Sequence, residues 1–249
     1  MSCDSQKMYY IQPQKEFRTM ETTGYFTNEL EIAKDVTFRS SDDFHYESKL
    51  IKWCLDTFIK PDKDFVDIGA HIGTWTWQCG ARAKKTHAFE CNRHVYNCLC
   101  ANLFLKDLSY KVQTYVCGLS NKSNEKMIYY KRSKDGGGNG LTMLNRNDES
   151  VEKDCVDVFR LDDFNLTNIG FLKIDVEGHE LEVLQGALLT LKNNGYPPFI
   201  FESWIAHGDA EGSQNIIKMR CDLFHFIESL GYKIVPISGW PQQFIAEHC

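Results

Sequence analysis

Between residues 64 and 204, short apolar runs alternate with segments of helical period, and the runs tend to stop at an acid or a glycine. "DFVDIGA", "THAFE", "KVQTYVCGLS", "GFLKIDV" and "FIFESW" read as strands; "HIGTWTWQCGARA", "NRHVYNCLCANLFLKD" and residues 178–192 read as helices. This alternation predicts a mostly parallel sheet with helices on both faces, since successive parallel strands need helical crossovers that pack back on the sheet. Ligands on such sheets bind beyond the carboxyl ends of the strands. Asp67, Glu90, Gly118, Asp175 and Glu202 fall at those ends, so one cleft is expected to collect them.

The flanking segments complete the plan. "ESKLIKWCLDTFIK" (47–60) places Leu50, Ile51, Leu55 and Phe58 on one helical face, and Pro61 ends it. "KMIYYKR" and "KDCVDVFRLDDF" read as strands on either side of the glycine-rich "SKDGGGNG" loop. "NIIKMRCDLFHFIESLG" reads as a helix, and "YKIVPI" and "QFIAE" as a closing pair of strands. Residues 1–46 are expected to form an N-terminal extension or small cap, and 47–249 a single domain.

Composition narrows the partners. With 28 basic against 34 acidic residues the net charge is −6, which disfavours nucleic acid. No apolar stretch reaches the ~20 residues of a membrane helix, and the N-terminus lacks a signal-type apolar core. The ten cysteines include no CxxC pair, so free thiols are expected rather than a zinc site. These features suit a cytoplasmic protein with no membrane partner.

The first strand leads into a distinctive turn, "FVDIGAHIGTWT" (65–76). Gly69 and Gly73 let the backbone turn tightly, but His71 stands where a GxGxxG fingerprint has its second glycine. Glu90 ends the next strand, where an acid can grip both hydroxyls of a ribose. That much suits either a dinucleotide or an adenosyl sulfonium compound. Asp67 tips the balance, because a carboxylate in the first strand suits the ammonium group of a sulfonium amino acid.

These stretches, together with "AFECNRHVYNCLCANLFL", "CGLSNKSNEKM", "LDDF" and above all "LKIDVEGHELEVLQGA", resemble the FkbM-type S-adenosylmethionine-dependent methyltransferases, over about residues 65–204. The resemblance implies the class I, Rossmann-like methyltransferase fold: a seven-stranded mostly parallel sheet with helices on both faces and a terminal antiparallel hairpin. It also implies O-methylation of a sugar or another glycosylated or polyketide acceptor. The cofactor, S-adenosylmethionine, is then expected to meet Asp67, Gly69, Ala70, His71, Gly73, Thr74, Glu90, Cys91, Gly118, Leu119 and Asp175.

Methyl transfer to a hydroxyl needs an aligned acceptor and a base for its proton. Asp175, at the strand end, and His179, just inside the following helix, are the expected catalytic residues. Glu180 reads as a helix-start acid. Glu177, Asn139, Glu202, Trp204 and His207 are expected on the acceptor side. The expected mechanism is metal-free; the alternative is Mg²⁺ held by Asp175 and Glu177 with Asp162 or Glu202. Two rivals stand beside the methyltransferase: an NAD-type oxidoreductase and a catalytically silent adenosyl-binding subunit.

Overall fold

The computed structural model describes residues 41–131, 138–142, 151–205 and 211–249. Helix α1 (Ser41–Thr57) is followed by β1 (Asp64–Ile68), α2 (Thr74–Arg82), β2 (Thr86–Phe89), α3 (Arg93–Leu105) and β3 (Val112–Tyr115). Three strands then leave the main sheet: β4 (Gly118–Leu119), β5 (Glu125–Lys131) and β6 (Glu152–Phe159). The chain returns through β7 (Ile169–Ile174), α4 (Glu180–Gln185), α5 (Leu188–Asn193), β8 (Phe199–Glu202), α6 (Glu211–Ser229), β9 (Tyr232–Ile237) and β10 (Trp240–His248).

The main sheet has seven strands in the order β3-β2-β1-β7-β8-β10-β9. Pairing is parallel from β3 to β8, while β10 runs antiparallel to both β8 and β9. This is the expected architecture, terminal hairpin included. Strand order reverses between β1 and β7, and their carboxyl ends open the crevice where such folds bind ligands.

Period-2 alternation divides the core. Val66, Ile68, Leu172, Ile174, Phe199 and Phe201 pack on one face against α4, α5 and α6 through Val183, Leu184, Leu191, Leu223 and Ile227. Phe65, Phe171, Ile200 and Ile245 pack on the other against Leu50, Ile51 and Cys54 of α1 and Trp75 and Cys79 of α2. The same alternation puts Asp67, Lys173 and Glu202 on the α1/α2 face, beyond its apolar floor, and Asp67 is directly opposite Lys173 in register.

Three expected elements differ from those found. Helix α1 begins at Ser41 rather than at residue 47. "KVQTYVCGLS" is two strands, because after Tyr115 the chain turns off the main sheet and Gly118–Leu119 pair instead with β6 of a three-stranded sheet. Residues 178–192 form two short helices broken at Gly186–Ala187. Asp162 starts the second: its carboxylate accepts the N–H groups of Leu189 (3.1 Å) and Thr190 (2.7 Å), satisfying donors that a helix start leaves open. Among the described residues no helix is long and apolar enough to cross a membrane, and the cysteines are free thiols.

Candidate active site

The carboxyl ends of β1, β2, β7 and β8, with β4 and the Asn139–Leu141 segment, enclose a cleft of about 340 Å³. Gly69, Ala70, His71 and Thr74 line it from the β1–α2 turn; Glu90, Cys91, Gly118 and Leu119 from the adjoining strand ends. Asp175, Glu177, Glu202 and Asn139 close the opposite part. Twelve of the expected site residues thus meet in one place.

The β1–α2 turn and the turn after β7 touch. Gly69 has φ +75°, and a Cβ there would sit 1.8 Å from the Asp175 carbonyl oxygen, so only glycine admits this approach. The Asp175 N–H donates to the Ile68 carbonyl (3.1 Å), which locks the two turns together.

Glu90 is buried at the end of β2. Its carboxylate accepts the Asn92 N–H (2.7 Å) and the His71 N–H (3.0 Å). Asn92 in turn caps α3, accepting from His94 and Val95. Burial pushes the Glu90 carboxyl up to about 7, against the pull of those two N–H donors. The arrangement leaves an acid at the cleft wall, held in place by backbone rather than by a cation.

Lys173 was not anticipated. It is 6% exposed, lines the cleft, and donates to the Gly69 carbonyl at 2.7 Å. Its ammonium lies 3.7 Å from Asp67 and 3.6 Å from Asp175. Burial opposes its charge, but Asp175, Asp67, Glu47 and Glu202 outweigh that and raise its pKa. The sequence carried a signal: a lysine inside an apolar strand, two residues before a strand-end acid, needs a buried partner. Glu47, Tyr129 and Gln243 also line the cleft and went unread; Trp75, which the sequence suggests as helix packing, packs in the core and also reaches the cleft wall.

Four expected site residues lie elsewhere. Asp67 is fully buried beneath the cleft, where it accepts the Thr76 hydroxyl (2.6 Å) and faces Lys173; burial raises its pKa, with Lys173 opposing. In this position it supports the β1–α2 turn through Thr76 and faces the Lys173 ammonium. Gly73 caps α2 and packs on Leu99. His179 is 5% exposed and turned away from the cleft, with Nε2 3.0 Å from the Ser120 hydroxyl and Nδ1 3.5 Å from Glu182. Burial lowers its pKa against Glu182, so it ties the turn to the segment after β4 as a neutral ring. Trp204 lines a separate cavity of about 190 Å³ between the β7–α4 turn and α6. His207 lies outside the described residues.

Asp175, Glu177 and Glu202 each offer an oxygen within 4.8 Å of the other two, a spacing that could accommodate a divalent cation. Burial and the charges of Asp175, Glu177 and Glu180 push the Glu202 carboxyl up to about 10. Asp162 takes no part in this group, being the cap of α5.

Known proteins place this geometry. Residues 67–233 match the model of the methyltransferase FkbM domain, so the match continues past residue 204 into α6 and β9. "Methyltransferase 1" of Beauveria bassiana (strain ARSEF 2860) is 26% identical over 182 residues, covering 64% of this chain and 73% of that protein. Among solved structures, a candidate methyltransferase from Streptococcus mutans in complex with SAH aligns with TM-score 0.50 at 10% identity, over 80% of this chain and 94% of that one. A candidate caffeoyl-CoA O-methyltransferase from Staphylococcus aureus aligns with TM-score 0.50 at 11% identity, over 88% and 92%. At such identities these two structures attest the fold, which is that of S-adenosylmethionine-dependent methyltransferases. Fold, cleft and a match covering most of the domain agree: this chain is a member of the FkbM methyltransferase family.

Proposed function

We propose that the protein is an S-adenosylmethionine-dependent O-methyltransferase whose acceptor is a hydroxyl of a sugar or glycan. The observation that carries this reading is the acidic lining of the cleft: Glu47, Asp175 and Glu177 face it together with Glu90 and the protonated carboxyl of Glu202, against the ammonium of Lys173. Such a lining favours a sulfonium cation and a neutral acceptor, and repels the pyrophosphate of a dinucleotide. With His71 also interrupting the glycine fingerprint, the NAD-type alternative loses its support.

In this reading Glu90 accepts the two ribose hydroxyls with the oxygen lone pairs not taken by His71 and Asn92. Gly69 and Ala70 offer close backbone approach, and Cys91, Gly118 and Leu119 form the adenine end. The bound sulfonium supplies an electrophilic methyl group. Asp175, whose side chain is 23% exposed at the cleft, takes the proton of the attacking hydroxyl. Lys173 holds Asp175 and Gly69 in mutual register. Glu177, Glu202 and Asn139 are placed to accept or donate hydrogen bonds to neighbouring hydroxyls, which orients the acceptor. Trp204 is left out of this set by its place in the separate cavity.

A second reading keeps the transfer but adds Mg²⁺ at Asp175, Glu177 and Glu202; the convergence of their oxygens supports it. Both readings put the acceptor among neutral sugars rather than nucleic acids or membranes, in an intracellular enzyme with free thiols.

The test is a thermal-shift and calorimetric series with S-adenosylmethionine, S-adenosylhomocysteine and NAD, followed by transfer assays on methyl glycosides of neutral hexoses and deoxyhexoses, with and without EDTA. The reading expects stabilisation by both sulfur ligands, as linkage requires of a native-state ligand, and none by NAD. Stabilisation by NAD alone would overturn it. Cofactor binding without transfer to any acceptor would favour the silent adenosyl-binding subunit, and loss of transfer in EDTA restored by Mg²⁺ would select the metal reading.

A further inference from the structure

The turn after β7 has an unusual backbone, and one buried side chain accounts for it. Glu177 (φ +58°) and Gly178 (φ +91°) are both left-handed, a conformation that a glutamate avoids without outside support. Glu180, 4% exposed, supplies that support from the first turn of α4. Its Oε1 accepts the Val176 N–H (3.1 Å) and the Gly178 N–H (3.2 Å), so one oxygen gathers donors from both sides of Glu177. The Thr142 hydroxyl donates to the Gly178 carbonyl (2.8 Å), and the Trp204 ring lies so close that a Cβ on Gly178 would come within 2.7 Å of it.

We infer that Glu180 is a positioning residue for the acceptor end of the cleft, its carboxylate fixing the left-handed Glu177–Gly178 turn that presents Glu177 beside Asp175 and Glu202. The inference rests on the proposed methyl transfer for what the turn is used for, and on geometry for how the turn is held. Glu180 itself lines the smaller cavity behind the turn and not the cleft, so it acts through the backbone. The carboxylate trio depends on this, since Glu177 reaches its partners from a backbone that an ordinary helix start would point elsewhere.

The test compares wild type, E180A and E180Q by hydrogen exchange at the Val176 and Gly178 amides, by affinity for S-adenosylhomocysteine, and by turnover on the methyl glycosides above. In E180A two buried N–H groups lose their acceptor, and exchange at both amides is expected to rise about tenfold or more. Turnover should fall by roughly a hundredfold while S-adenosylhomocysteine affinity stays within about threefold, a split that general unfolding does not produce. E180Q, whose carboxamide oxygen can accept the same two N–H groups, should restore most of both effects. Unchanged exchange in E180A, or an E180Q variant as impaired as E180A, would overturn the proposal. If E180A does not fold, E180Q alone decides between a positioning oxygen and a required charge. Should wild type not bind S-adenosylhomocysteine, the methyltransferase reading falls, and the exchange comparison still decides what Glu180 does to the turn.

Discussion

Two turns of this molecule use the same device for different ends. After β2, the buried carboxylate of Glu90 accepts two backbone N–H groups, from His71 and Asn92. After β7, the buried carboxylate of Glu180 accepts two backbone N–H groups, from Val176 and Gly178. Burial pushes both carboxyls up to about 7. Yet Glu90 lines the cleft and Glu180 lies behind it. A carboxylate has about four lone-pair positions, so two N–H groups leave capacity to spare. At Glu90 that capacity faces the cleft, where it can bind a ligand; Glu180 sits behind the turn, in the smaller cavity, and its oxygen shapes the backbone. The location of the acid relative to the cleft, not its type or pKa, separates the two roles.

The largest effect expected belongs to Asp175, beside which the turn held by Glu180 presents Glu177. Asp175→Asn should keep S-adenosylhomocysteine affinity and lose about 10²–10⁴ in turnover, because only the proton-accepting group is removed. Full turnover in that variant would mean that the turn after β7 has no chemical role, and the comparison would collapse to one ligand site and one structural cap.

Glu90→Ala sharpens the other half. Losing charge-assisted hydrogen bonds of ~1.5–3 kcal/mol should weaken cofactor binding by about tenfold to a hundredfold, measured by calorimetry, with the circular dichroism spectrum intact. Affinity within error of wild type would remove Glu90 from the ribose.

Stability against pH treats the two acids alike. Both carboxyls have folded-state pKa values raised from 4.5 to about 7, so the folded protein holds more protons than the unfolded chain across that window. Their contribution is therefore fully present below pH ~4.5 and is lost as pH rises toward ~7, on the order of 3 kcal/mol for each group. Urea unfolding of the ligand-free protein at pH 5 and pH 8 should show the fall, and Glu180→Gln should reduce it. A rise in stability over that interval in both proteins would contradict the burial of these acids as neutral groups.

The smallest effect expected is at His179. Its ring bonds Ser120 away from the cleft, so His179→Asn should cost about 1 kcal/mol of stability and change turnover by only a few-fold. A pH–rate profile that loses a limb below the ordinary histidine range in this variant would return the base role to the histidine.

The sequence made one half of this comparison plainer than the other. Strand ends are readable from apolar runs, and at Glu90 the strand end is itself the site, so position and role coincide. The turn after β7 packs an acid, a glutamate, a glycine, a histidine and a second glutamate into six residues, 175–180, where one-residue rotations decide which side chain faces the cleft. Sequence spacing could not tell that Glu180 folds back on Val176 or that His179 points to Ser120, because both depend on the left-handed backbone at Glu177. Lys173 and Asp67 show a similar limit. Period-2 alternation puts both on one face, but their burial together requires the register between β1 and β7, which only the assembled sheet supplies. The break between α4 and α5 likewise follows from a distant cap, Asp162, that local helical periodicity does not contain.

The most direct test of the comparison sets Glu90→Gln beside Glu180→Gln and titrates both with S-adenosylhomocysteine at pH 8. The account predicts about tenfold weaker binding for Glu90→Gln, where a charged acceptor facing the cleft is lost, and a change within about threefold for Glu180→Gln. Equal losses in the two variants, or a larger loss at Glu180, would contradict the division of one device into a ligand-binding and a turn-shaping use.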